Sequence, residues 1–188
     1  AIMVAQIDTA TGVVNDIPTI SQAIRAANHD ALLMVDAVAS LGCVPFDMDA
    51  WGVDVAMSGS QKGMMTPPGL GFVAANDRAR EVHKKADMRT PYWDWTEREG
   101  AEHYRKYAGT APVHLLFALR QAVDMLVAEG LDNAFLRHRL LAEAVRRRRE
   151  TEGLIARPSF AADDAAENDD ILDLPMTASP MAAPEPDH

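Results

Sequence analysis

The sequence predicts an α/β fold, a mostly parallel sheet layered with helices, and three observations carry that expectation. Apolar runs of strand length recur at residues 2–7, 31–35, 53–57 and 70–74. A helical pattern separates the first two of them. The string Ala31-Leu32-Leu33-Met34-Val35 is apolar without alternation, the signature of a parallel strand covered on both faces.

Taken in order, residues 2–7 read as a buried strand. Asp16 is placed to cap a helix, and Pro18 falls in its first turn, where the missing N–H costs nothing. Ile20, Ala23, Ile24 and Ala27 then share one helical face. Residues 31–35, 53–57 and 70–74 follow as strands, and from residue 110 the texture becomes helical. Pro112 opens a helix along Val113, Leu116, Leu119, Ala122, Val123, Leu126 and Val127, which Gly130 ends. Asp132 is placed to cap a last helix through Phe135, Leu136, Leu140, Ala144 and Val145. Arg137, Arg139 and Arg146 to Arg149 make that helix basic, and a solvated face explains them.

The chain has 188 residues, 48% of them apolar, and a formal net charge of -10. Residues 151–188 hold nine acids against the single Arg157, a net of -8, with five prolines and few large side chains. Such a segment buries too little to offset its ordering entropy and reads as disordered, or as an acidic tail folding back on the arginines before it. Nucleic acid is not an expected partner, because the net charge is negative and no aromatics interleave with the arginines. A membrane is not expected either, since no apolar run reaches the roughly 18–20 residues a span needs. The lone Cys43 excludes a disulfide framework and fits a reducing, cytoplasmic compartment. The start, without Met and directly in a strand, reads as the middle of something longer.

Two strand ends carry the chemistry. In Val35-Asp36 a carboxylate follows an apolar run; in Ser58-Gly59-Ser60-Gln61-Lys62-Gly63 a lysine sits in a small-residue loop after another. Open α/β sheets bind ligands beyond the carboxyl ends of their strands, so both groups are expected to face one site. A desolvated lysine is a carbonyl nucleophile, and a carboxylate beside a pyridine nitrogen keeps it protonated. Pyridoxal phosphate asks for both. On spacing alone, a capping aspartate and a solvated lysine are the better explanation of the pair.

The strings themselves say more. Val35-Asp36-Ala37-Val38-Ala39-Ser40-Leu41-Gly42, then Ser58-Gly59-Ser60-Gln61-Lys62-Gly63 and Thr66-Pro67-Pro68-Gly69, resemble the class V aminotransferases of pyridoxal phosphate fold type I, in the branch of the serine–glyoxylate and alanine–glyoxylate enzymes. Thr9-Ala10-Thr11-Gly12-Val13 and Tyr107-Ala108-Gly109-Thr110-Ala111-Pro112 extend the likeness, which runs from about Ile2 to about Arg146. It implies Lys62 as the Schiff-base lysine, Asp36 as the pyridinium partner, Val38 against the ring, Thr9 near the phenolic oxygen and Gln61 on the phosphate. It implies that Tyr107 and Thr110 reach the phosphate of a neighbouring subunit, hence a homodimer, although Thr110 also suits a helix cap. The reaction implied moves an amino group from a small amino acid of serine, alanine or aspartate type to glyoxylate or a similar 2-oxo acid. The likeness divides the chain into a partial large domain at 1–109, a helical segment at 110–150 and the tail at 151–188.

The family's Gly-rich phosphate loop, its ring-stacking aromatic and its substrate-gripping arginine have no match in this sequence, and Gln6-Ile7-Asp8 stands where a His-containing string is usual. The expectation is a central fragment with little activity alone. A lyase or desulfurase of the same fold type, or a non-catalytic dimerising fragment, are the alternatives. His29, His83, His103, His114, His138 and His188 lack metal spacing. Cys43 reads as a small core residue, the glycines at 59 and 63 do not space as a phosphate-binding P-loop, and the cluster of Tyr92, Trp93 and Trp95 reads as core, with a pocket entrance or dimer contact as the other options.

Overall fold

The computed structural model describes residues 1–151; the acidic tail read above as disordered lies outside the described residues. Ala1–Ala142 forms one compact unit. In order it forms β1 (Ile2–Ala5), α1 (Ile17–Ala26), β2 (Leu33–Asp36), β3 (Val55–Gly59), β4 (Gly71–Ala75), α2 (Asp77–His83), α3 (Trp95–Arg98), a 3-10 turn (His103–Tyr107), α4 (Val113–Glu129) and α5 (Leu131–Thr151). Among the described residues no helix is long and apolar enough to cross a membrane.

The four strands form one sheet in chain order. β1 runs parallel to β2 with Ala5 opposite Asp36, and β2 runs parallel to β3 with Asp36 opposite Met57. β4 returns antiparallel, Met57 facing Val73. α1 begins as its sequence dictates: Asp16 accepts a hydrogen bond from the Thr19 N–H at 3.0 Å, and Pro18 lies in the first turn. Ile17, Leu33, Val35, Val53 and Ala56 form the core, with Ile20 and Ile24 of α1 and the edge-to-face pair Phe46 and Trp51 packed against it.

Three expectations change. The link from β2 to β3 contains turns and no helix, so strand–helix alternation holds only for the first crossover. The β2 run is fully covered on one face and partly on the other: Leu33 and Val35 are buried, whereas Met34, which lines a hollow with Val55 and α2, is half-buried and Asp36 exposed. By register, the second face carries Met3, Met57 and Val73, which are 79%, 44% and 57% exposed, together with Val55, which is buried at 4%. Finally, Asp132 lies inside the first turn of α5 and not at its cap, because the helix starts directly after Gly130, whose φ of 84° ends α4.

Buried Asp54 joins the strands to α2. Its Oδ2 accepts the Leu33 N–H at 2.8 Å and Arg78 Nη1 at 2.6 Å, and Oδ1 accepts Asn76 Nδ2 at 2.9 Å. Asn76 in turn caps α2 through the Ala79 N–H. A second pair holds α2 to α3: His83 Nε2 lies 2.8 Å from Asp94 Oδ1, with the His83 ring tilted against Trp95 at 5.0 Å. The His83 hydrogen bond holds the Asp94 carboxyl below the usual carboxylate range, against burial, which acts the other way.

Asp54→Ala leaves a buried backbone N–H and a guanidinium without their acceptor, so it is expected to cost about 2–4 kcal/mol in urea unfolding, with Asp54→Asn costing less. Because the folded Asp94 carboxyl titrates below its unfolded value, its contribution is complete above that unfolded value, near pH 4, and is lost as pH falls through the folded one. The stabilities of wild type and Asp94→Asn should therefore converge as pH falls from about 5 to about 2; parallel curves would contradict this.

Candidate active site

Parallel pairing brings the exits of β1, β2 and β3 to one edge of the sheet. The ladder continues past the strands, with the Gln6 N–H on the Asp36 carbonyl at 2.9 Å and the Ala37 N–H on the Met57 carbonyl at 2.8 Å. Asp36 sits at the last position of β2 and is exposed. Its Oδ1 accepts the Val38 N–H at 2.8 Å, a short-range turn that aims the carboxylate and half-buries Val38 beside it.

The lysine loop, residues 60–70, is closed at its neck by small hydroxyls. Fully buried Ser60 donates to the Pro67 carbonyl at 2.8 Å, and Thr66 returns to the Ser60 carbonyl through both its N–H at 3.0 Å and its hydroxyl at 2.9 Å. At the tip the Lys62 carbonyl accepts the Met65 N–H at 2.9 Å. The Lys62 side chain is exposed, and among the described residues its amine has no hydrogen-bond or ion-pair partner. Gln61 is exposed too, its amide oxygen folded over Gly59. On the β1 exit, Asp8 Oδ1 accepts the Ala10 N–H at 2.7 Å and shapes the exposed turn that presents Thr9.

Thr9, Asp36, Val38, Gln61 and Lys62 thus come to one edge. Tyr107 and Thr110 stand apart from this pairing: both are exposed, and among the described residues no hydrogen bond joins either to Asp36 or Lys62. Thr110 does not cap α4, because Pro112 occupies the cap position and no side chain bonds there. Tyr92 and Trp93 are surface residues, 57% and 75% exposed and stacked edge-to-face, with the Arg98 guanidinium 4.6 Å from the Tyr92 ring; Trp95 alone of that cluster is partly covered. Two hollows, of about 300 Å³ beside His83 and Trp95 and about 550 Å³ beside Tyr104 and Arg105, contain neither Asp36 nor Lys62.

Cys43 is half-buried, and burial pushes its thiol up, which suits a packed residue and not a nucleophile. Among the described residues no three His, Cys, Asp or Glu side chains converge on a metal position. Gly42 and Gly63, read above only as parts of their strings, meet across the two loops; paired glycines flanking the aspartate turn and the lysine were the available signal. For pyridoxal phosphate the donor chemistry of this edge fits: an unpaired primary amine, a carboxylate with one oxygen outside the Val38 turn, a hydroxyl and an amide from three neighbouring exits.

Comparison with known proteins gives the same direction. The chain is 42% identical to a soluble hydrogenase small subunit of Synechococcus sp. (88% of this chain, 42% of that protein) and 41% identical to a serine–glyoxylate aminotransferase of Methylorubrum extorquens (78% and 38%). It superposes on the crystal structure of an alanine–glyoxylate aminotransferase from Nostoc sp. with a TM-score of 0.69 at 34% identity, covering 80% of this chain and 40% of that one. The chain therefore spans about two-fifths of the length of the relatives it matches. The family model for aminotransferase class-V matches residues 1–172, and the chain belongs to that family.

Proposed function

We propose that this chain carries the cofactor-holding centre of an aminotransferase that moves an amino group from a small amino acid to glyoxylate or a similar 2-oxo acid. Family membership implies pyridoxal phosphate as the cofactor. The observation that carries the reading is the placement of Asp36 and Lys62 on the exits of two adjacent parallel strands. The acceptor is inferred from the glyoxylate named in two of the relatives above.

Bound at this edge, pyridoxal phosphate supplies an aldehyde for a lysine amine and a ring that draws electrons from the substrate Cα. Lys62 Nζ would hold the cofactor and, once freed by the substrate amine, would act as the general base that carries the substrate Cα proton to the cofactor carbon. The Asp36 oxygen outside the Val38 turn holds the proton of the ring nitrogen. Val38 would bound one ring face, Thr9 would offer its hydroxyl near the phenolic oxygen and Gln61 would bind phosphate. Tyr107 and Thr110, which stand apart from Lys62 within this chain, serve the site of a second copy in a homodimer. Residues 1–109 form the cofactor-holding part, residues 110–150 a helical extension, and the lone thiol suits the cytoplasm. Raised and half-buried, the Cys43 thiol disfavours a desulfurase.

The chain has four lysines, Lys62, Lys84, Lys85 and Lys106. The amine and the aldehyde condense with loss of one water, and borohydride hydride then fixes the bond, so peptide mass spectrometry reads which lysine was used. Label should concentrate on Lys62 and vanish in Lys62→Ala; an even spread over the four overturns the reading. Asp36→Ala removes one charge-assisted hydrogen bond and should weaken cofactor binding roughly 10-fold or more, measured by titration of the bound chromophore.

A further inference from the structure

The buried residue nearest the lysine is the glycine after it. A Cβ at Gly63 would lie 2.2 Å from the Leu41 carbonyl oxygen, 2.8 Å from Cys43 Sγ and 3.1 Å from the Gly42 carbonyl carbon. The contact is reciprocal: Gly42 has φ +81°, and a Cβ there would lie 3.1 Å from the Gly63 oxygen and 3.2 Å from its carbonyl carbon. The two loops therefore touch backbone to backbone, through two residues that have no side chain. No rotamer change can alter that spacing.

The rest of the lysine loop is fixed elsewhere. Ser60 and Thr66 close its neck, and Leu115 of α4 packs against Gly69. At the tip, Gln61 and Lys62 are exposed while Gly63 is buried. Its partner loop is tied to the carboxylate: the Leu41 N–H bonds the Ala37 carbonyl at 2.9 Å, directly after Asp36, and Ser58 Oγ bonds the same carbonyl at 3.2 Å.

We infer, building on the cofactor reading above, that the Gly42–Gly63 backbone clasp positions Lys62 relative to Asp36, making both glycines positioning residues for the reaction. Anchoring the exposed tip through the residue adjoining the lysine fixes where its side chain starts, while the amine itself stays unencumbered. Displacing that origin by about 1 Å is the kind of error that costs on the order of 10²-fold in a positioned reaction.

The test compares Gly63→Ala, Gly42→Ala and wild type in the full chain, with Gly71→Ala as control, since a Cβ at Gly71 meets nothing within 4 Å. Hydrogen exchange without cofactor follows the bonded amides of Leu41, Cys43, Met65 and Thr66. Borohydride trapping with pyridoxal phosphate then gives the share of label on Lys62 against Lys84, Lys85 and Lys106. In Gly63→Ala, kept well below its melting temperature, exchange should quicken in both loops about tenfold or more, and the Lys62 share should fall by a similar factor. Gly71→Ala should change neither. Should Gly63→Ala fail to fold, Gly42→Ala, which adds a side chain at φ +81° to contacts of 3.1 and 3.2 Å on Gly63, must give the same signs. A folded Gly63→Ala that keeps the Lys62 share overturns the clasp even if exchange quickens, because a purely structural joint moves exchange alone. Coupled exchange in a chain whose wild type shows no Lys62 preference overturns the cofactor reading and leaves the clasp as a joint between loops.

Discussion

The parallel pairing of β1, β2 and β3 is the constraint on which the rest depends. Had any of these strands run the other way, its following loop would emerge at the opposite edge, and Thr9, Asp36 and Lys62 would no longer share a border. Parallel order needs crossovers, and the chain uses two different kinds. α1 makes the first and covers the core face; turns anchored by Phe46, Met48 and Trp51 make the second and pack on the same face. Asp54 then locks the far ends of β2 and β3, so the register that aligns Asp36 with Met57 is held from both directions.

Much of this was legible in the residues. Asp16 and Pro18 announced α1, Gly130 its counterpart at the end of α4, and the apolar runs located every strand within a few positions. The misreadings have physical causes. A continuous apolar run says that a strand avoids water, but not which element supplies its cover, so the partial cover of the second face of β2 could not be read from it. Thr110 has a capping side chain, yet Pro112 holds the cap position, and proximity in sequence alone does not choose between them. The direction of β4 is set by a return through the lysine loop whose neck Ser60 and Thr66 close, and neither hydroxyl marks its partner in the sequence.

At the candidate site the chemical identities were legible and the mechanics were not. Asp36 and Lys62 stand out through the strings that surround them and not through burial, since both are exposed. The support around them is made of groups without distinctive chemistry: a backbone N–H at Val38, a serine hydroxyl at position 60 and the glycines at 42 and 63. Such groups matter through what they exclude or tether, and only coordinates reveal that. The division is sensible physically, since a hydrogen-bonded, partly buried frame lets Asp36 and Lys62 stay exposed and accessible.

The sheet also has two outer strands among the described residues, β1 and β4, each paired on one side only. Their outward amides and carbonyls form rows with the spacing that another extended segment can extend, and β1 presents the side chain of Met3 beside its row. On β1 the outward Ala5 carbonyl is already taken by the Asn15 side-chain amide at 2.7 Å, so an added strand would meet only the part of that margin before it. Strand addition at the β1 margin would therefore stop short of the border where Thr9 emerges, and addition at β4 would leave that border unchanged.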